Sequence, residues 1–70
     1  MQRMLASLKL EAFIILNNLN AASFGKMLGC RSETIRRYVK SLRIPNDEVK
    51  IKIEKVTKGQ VEITDWFKSI

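Results

Sequence analysis

Six basic residues crowd the middle of the chain: Lys26, Arg31, Arg36, Arg37, Lys40 and Arg43, opposed within residues 26–43 by Glu33 alone. This stretch carries +5 of the formal net charge of +6, while residues 1–25 carry +1 and residues 44–70 balance to zero. Guanidinium and ammonium groups act on anions through charge-assisted hydrogen bonds. A field concentrated in this way attracts a polyanion, whether nucleic acid, an anionic membrane surface or an acidic protein. Other chemistry lacks parts. The chain has no histidine and one cysteine, which excludes disulfide frameworks, the usual zinc sites and His-based acid/base or nucleophilic catalysis. Ser32 and Thr34 have no base to activate them, and Cys30 falls at an apolar position, where it is expected as a small buried hydrophobe. The expectation is a binding protein and not an enzyme, with no cofactor, metal or small-molecule ligand.

Seventy residues, 46% of them hydrophobic, provide for one small domain spanning residues 1–70. No apolar run approaches the roughly 20 residues that cross a bilayer. The N-terminal stretch, broken by Arg3, Lys9 and Glu11 and lacking an export cleavage site, reads as part of the fold. A lone thiol suits a reducing cytoplasm. Leu5, Leu8, Ala12, Ile15 and Leu19 recur at a helical period, with Leu10, Phe13 and Ile14 as a second stripe, predicting a first helix over about Ser7 to Asn17. Asn18 suits a left-handed C-terminal residue and Asn20 the N-cap of the next helix. That second helix carries Phe24, Met27 and Leu28 and ends at Gly29, where a positive φ permits a sharp change of direction.

A third helix is expected from Arg31 or Ser32 to about Leu42. On a helical wheel Ile35, Tyr38, Val39 and Leu42 share one apolar face, and Glu33, Arg36, Arg37 and Lys40 lie opposite, with Arg43 at the edge. Pro45 is expected to stop it. Residues 47–63 fit two patterns. Val49, Ile51 and Ile53 alternate with Lys50 and Lys52 as in a strand, with Thr57–Gln60 as a hairpin turn leading to Val61 and Ile63; alternatively Asn46 caps a helix whose inner face is Val49, Ile53 and Val56 and which stops at Gly59. Thr64 is expected to cap a last short turn in which Trp66 and Phe67 close the core.

Two short helices joined by a glycine turn, the second basic on its outer face, meet the physical specification of a DNA-reading helix-turn-helix. Within Ala21–Lys40, Gly25 stands where the helices cross, Gly29 at the turn, and Phe24, Leu28, Cys30, Ile35 and Tyr38 at the apolar positions that fill the angle between them.

The segment FGKMLGCRSETIRRYVKSLRIPNDEVKIKIEKVTKGQV resembles the small Cro-type repressors of phages and bacteria, in the Cro/CI helix-turn-helix superfamily. The likeness runs without a gap from Leu10 to Val61, about three quarters of the chain. It implies an all-α, five-helix Cro/CI-like domain, with IEKVTKG in a fourth helix; other Cro proteins carry a C-terminal β-ribbon, so a β-hairpin replacing that helix stays open. It further implies a cytoplasmic, bacterial or phage-encoded transcriptional regulator that binds double-stranded DNA and represses by occupying an operator. Carried over residue by residue, Ser32, Glu33 and Arg37 fall where such repressors address base edges, and Arg36 where some members read bases and others phosphates. Glu33 has a second reading as an i, i+4 partner of Arg37 or an i, i+3 partner of Arg36. Lys26, Arg31, Lys40 and Arg43 are placed to grip phosphates. The family often has glutamine at the first position of its second helix; Ala21 stands there, leaving Asn20 or Ser23 as substitute anchors.

The first helix has more apolar surface than a domain of this size hides, so either the Leu5, Leu8, Ile15 stripe or the Leu10, Ile14 stripe is left over. The expectation is a homodimer through that helix, through Trp66 and Phe67, or through both, with reading helices about 34 Å apart on a near-palindromic operator. Two alternatives remain. ETIRRY followed by SLRIP also resembles the MerR-type regulators and excisionases, which bend DNA. A basic protein-interaction module, such as an antitoxin or inhibitor, would share the charge without needing the helix-turn-helix spacing.

Overall fold

Asn18, Ser41 and Lys58 hold φ of 55°, 60° and 54°, Gly29 holds 75°, and each of the four ends a helix. The structure, a computed structural model, describes residues 3–70. Its elements are α1 (Leu5–Leu16), α2 (Ala21–Leu28), α3 (Ser32–Val39), α4 (Asp47–Val56) and a 3-10 turn (Ile63–Phe67). The fold is all-α, four α-helices and one tight turn. Met1 and Gln2, expected to be part of the fold, lie outside the described residues.

The helix ends share one device. The amide of the residue after each left-handed position reaches back to a carbonyl five residues earlier: Leu19 to Ile14 at 2.9 Å, Cys30 to Gly25 at 2.8 Å, Leu42 to Arg37 at 2.9 Å and Gly59 to Glu54 at 2.8 Å. These are Schellman closures, which satisfy carbonyls a helix end leaves orphaned. At the starts, Asn20 accepts from the Ser23 amide at 2.8 Å while Ser23 Oγ accepts from the Asn20 amide at 2.9 Å. Asn46 likewise accepts from the Val49 amide at 2.9 Å. Within residues 47–63 the Asn46-capped helix α4 (Asp47–Val56) therefore forms, and the hairpin is not made.

Ala6, Leu10 and Ile14 of α1, Phe24 and Leu28 of α2, Ile35 and Tyr38 of α3, Ile53 of α4, and Val61 and Trp66 form the buried core. Phe13 meets Phe24 edge-on with centroids 5.9 Å apart, and Tyr38 meets Trp66 edge-on at 6.2 Å. Burial, with a smaller electrostatic contribution from the neighbouring Cys30, raises the Tyr38 pKa above its ordinary value against an opposing influence from Arg43.

Several expectations are corrected. α1 runs from Leu5 to Leu16 and not from Ser7 to Asn17. α3 ends at Val39, short of Leu42, because Ser41 turns left-handed; Pro45, which is buried, comes after a helix that has already ended. The turn is held by a hydroxyl chain: the Met4 amide donates to Ser41 Oγ at 3.0 Å, Ser41 Oγ donates to Ser7 Oγ at 2.8 Å, and Ser7 Oγ donates to the Tyr38 carbonyl at 2.6 Å. Arg3 adds a guanidinium bond of 2.8 Å to the Val39 carbonyl. Leu42 is thereby thrown out of the core and is 61% exposed.

The last element is capped by Glu62 and not by Thr64: Asp65 Oδ2 accepts from the Glu62 amide at 2.9 Å. Asp65 also takes Lys9 Nζ at 3.0 Å, and this bond to α1 fixes which side of the turn faces inward. Trp66 closes the core, whereas Phe67 is 74% exposed, lying beneath Lys50 Nζ at 4.4 Å from its ring centroid.

Candidate nucleic-acid interface

Gly25 is where α2 and the start of α3 come closest. A Cβ added there would stand 2.5 Å from the Cys30 carbonyl oxygen and 3.4 Å from Ile35 Cγ1, so only glycine lets the turn press onto α2. The apolar positions of this unit are filled as the spacing predicts: Phe24, Leu28, Ile35 and Tyr38 are buried and Cys30 is half-buried, its thiol free.

With one side of α3 in the core, its other side has nowhere to go but outward. Glu33, Arg36, Arg37 and Lys40 are exposed and Ser32 is half-buried; with Leu42 these residues line an open groove along the outer face of α3. Arg37 Nη2 donates to Glu33 Oε1 at 2.9 Å, so the i, i+4 pairing of Glu33 is formed. Both side chains are more than half exposed, and such a pair contributes about 0.3–0.5 kcal/mol. A forked bond from arginine to a guanine edge contributes about 1–3 kcal/mol of discrimination. The Glu33 contact is therefore too weak to hold Arg37 against a stronger acceptor. Arg36 Nη1 lies 3.4 Å from Ser32 Oγ, a weak tether.

Arg36 and Lys40 sit at a boundary. Besides the outer groove they line a second, apolar groove between α1 and α3, with Ile14, Ile15 and Val39. Arg37 and Glu33 belong to the outer groove alone. Leu42 is the groove residue that sequence reasoning missed, since the wheel assumed a helix reaching it. The only local sign of its true place is the polar Ser41 before it.

Of the phosphate candidates, Lys26, Arg31, Lys40 and Arg43 are exposed, and among the described residues none has a carboxylate within 4.0 Å. Asn20 is exposed and Ser23 half-buried, but the Asn20 side-chain oxygen and the Ser23 hydroxyl are engaged in capping α2, the hydroxyl also donating to the Asn20 carbonyl at 3.1 Å. The association candidates divide. Leu8, Ile15 and Phe67 are exposed, Leu5 is half-buried, and Trp66, 2% exposed, is a core residue with no surface to offer a partner.

Among the described residues no helix is long and apolar enough to cross a membrane, and no group of three or more His, Cys, Asp or Glu is gathered to hold a metal. Comparison with family models, with curated proteins and with solved structures finds no match to this chain.

Proposed function

We propose that the chain is a sequence-specific double-stranded DNA-binding protein that lays α3 in the major groove and represses transcription by occupying an operator. The observation that carries this reading is the pairing of a close-packed α2–turn–α3 unit, fixed at Gly25, with an outer α3 face on which Ser32, Glu33, Arg36, Arg37 and Lys40 are left to solvent. An α-helix, about 10–12 Å across with its side chains, fits a groove about 12 Å wide, and the outer face of α3 carries the positive charge that suits it. The likeness of residues 10–61 to Cro-type repressors supports the same assignment. In this reading the protein is a Cro/CI-like helix-turn-helix domain, uses no cofactor and catalyses nothing.

Arg37, with Ser32, Glu33 and Arg36, addresses base edges. Lys26, Arg31, Lys40 and Arg43 hold phosphates, which sets register and gives salt-dependent affinity without sequence information. Asn20 and Ser23, whose oxygens cap α2, are assigned a lesser part as phosphate anchors. Titration of a labelled duplex pool by fluorescence anisotropy tests the assignment. Arg37→Ala should narrow the gap between preferred and random duplex, while Lys40→Ala should weaken both alike. Identical behaviour of the two variants contradicts the division of roles, and no duplex binding by the unaltered protein contradicts the function.

A further inference from the structure

We propose that the outer face of α1 is a homodimer interface, across which two copies pack this helix antiparallel about a twofold axis at Ala12. The starting observation is that α1, LASLKLEAFIIL, is apolar on both sides, yet the fold covers only one. Ala6, Leu10 and Ile14 are buried, whereas Leu8, Ala12, Ile15 and Leu16 are exposed, with Leu8 at 41%, Ile15 at 66% and Leu16 at 79%. At a helical 100° per residue, Leu5, Leu8, Ala12, Ile15 and Leu16 fall within a sector of about 100°, which is the width of a face that packs against a neighbour. A helix apolar all round is expected to be enclosed, and nothing in residues 3–70 encloses this one.

The spacing says what the neighbour is. Leu8 and Leu16 lie equally far on either side of Ala12. A twofold at Ala12 therefore sets Leu8 of each copy on Leu16 of the other, twice over, as an isologous contact requires. Ala12 at the axis has only a methyl group, so the two backbones can approach closely. Charge permits the contact as well. The chain is +6 overall and most of its surface would repel a second copy. The charges of α1 that flank this face are internally neutralised, Glu11 by Arg3 at 3.2 Å and Lys9 by Asp65 at 3.0 Å, while Arg36 and Lys40 of α3, beside Ile15, stay unpaired among the described residues at its far edge.

The antiparallel sense, unlike the association itself, rests on the DNA reading. α1 meets α3 through Ser7, which bonds the Tyr38 carbonyl, and through Ile14 beside Val39. The outer sector lies roughly a third of a turn around α1 from that side. In an antiparallel pair the twofold runs perpendicular to the helices and keeps both α3 helices on one side, where a single duplex can meet them. A parallel pair would send them to opposite sides. Two bodies of 26 × 22 × 22 Å in contact are large enough for their α3 helices to stand one turn of B-DNA apart, about 34 Å.

The contact is small. Leu8, Ile15 and Leu16 expose on the order of 400 Å² per copy, so the pair buries roughly 800 Å² in all, below the roughly 1,200 Å² at which standard interfaces begin. The dimer is accordingly weak in free solution and is completed when DNA holds two copies side by side.

Sedimentation equilibrium on the full chain tests the proposal without DNA. Between about 10 μM and 1 mM the weight-average mass should rise from 8.1 kDa toward twice that value. Leu16→Lys, at a position that supports no core contact, should hold the mass at the monomer value with its circular dichroism unchanged. Ala12→Cys in a Cys30→Ala background should form a disulfide-linked dimer on mild oxidation. A mixture of Leu8→Cys and Leu16→Cys chains should cross-link, whereas Leu8→Cys alone should not. A wild-type monomer across the whole range, or a Leu16→Lys chain that associates like wild type, would overturn the interface and leave the α1 face to some other protein. Self-linking of Leu8→Cys as readily as the mixture would overturn the antiparallel sense. Each of these failures leaves duplex binding by α3 standing or falling on its own titration.

Discussion

Two populations of cations divide this small protein. Around α1, α4 and the C-terminal turn five of the seven cations are tied, Arg3 to Glu11, Lys9 and Lys68 to Asp65, Lys50 to Asp47, and Lys52 to Glu48, and only Lys55 and Lys58 lack a carboxylate within 4.0 Å among the described residues. In residues 26–43 five of the six, Lys26, Arg31, Arg36, Lys40 and Arg43, have no carboxylate within 4.0 Å among the described residues, and the sixth, Arg37, has one exposed pair. The tied set includes the contact to Asp65, whose carboxylate is 1% exposed, and fixes how the chain's two ends meet. The untied set fixes nothing in the fold. Charges that stabilise nothing internally are available to a ligand, and the division predicts that each population fails in its own way when removed.

The largest effect is expected on the untied side. Replacing both Arg36 and Arg37 by alanine should lower affinity for a preferred duplex by about 100-fold, near 3 kcal/mol, if each guanidinium makes a forked base contact. The melting temperature should hardly move, because both side chains are exposed. A variant that melts early would show these arginines to be structural and erase the contrast.

On the tied side, Asp65→Asn should cost about 2 kcal/mol of stability by leaving Lys9 and the Glu62 amide with a weaker acceptor, with duplex affinity unchanged. Burial alone would push the Asp65 carboxyl up, but the hydrogen bonds from Lys9 and the Glu62 amide, together with the charges of Lys9 and Lys68, hold it below the ordinary carboxylate value. A folded-state pKa depressed in this way contributes stability that is present above the unfolded value and is lost as pH falls through the folded one, hence below about pH 4. Denaturant melts between pH 5 and pH 2 should show this loss in the wild type and a shallower one in Asp65→Asn.

Smaller effects sharpen the contrast. Phe67→Ala, removing the ring beneath Lys50, should cost about 1 kcal/mol or less in stability and nothing in binding. Lys40→Ala should weaken every duplex by a few-fold and reduce the steepness of log affinity against log salt by about 0.9, the signature of one lost phosphate contact.

Much of this arrangement is legible in the sequence where the cause is local. Asn18, Asn20, Gly29 and Asn46 declare helix ends because the backbone they need is one that their own side chains, or the lack of one, provide. The outward placement of Arg36 and Arg37 follows from Ile35 and Tyr38 pointing in. What sequence spacing misplaces depends on distant partners. Ser41 ends α3 early because its hydroxyl joins a chain through Ser7, 34 residues away. Trp66 enters the core while Phe67 leaves it because Asp65 is tied to Lys9, 56 residues away. Glu33 is an intermediate case: both of its roles fit the spacing, and the folded chain makes the pairing with Arg37.

The most direct test of α3 as a reader of DNA is selection of bound sites from a random duplex pool, run side by side with the wild-type chain and the Arg36→Ala/Arg37→Ala variant. Wild type should enrich a near-palindromic sequence whose half-sites lie about one helical turn apart, and the variant should retain duplex without enriching it. A wild-type pool that stays random, or the same enriched sequence from both proteins, would contradict the account.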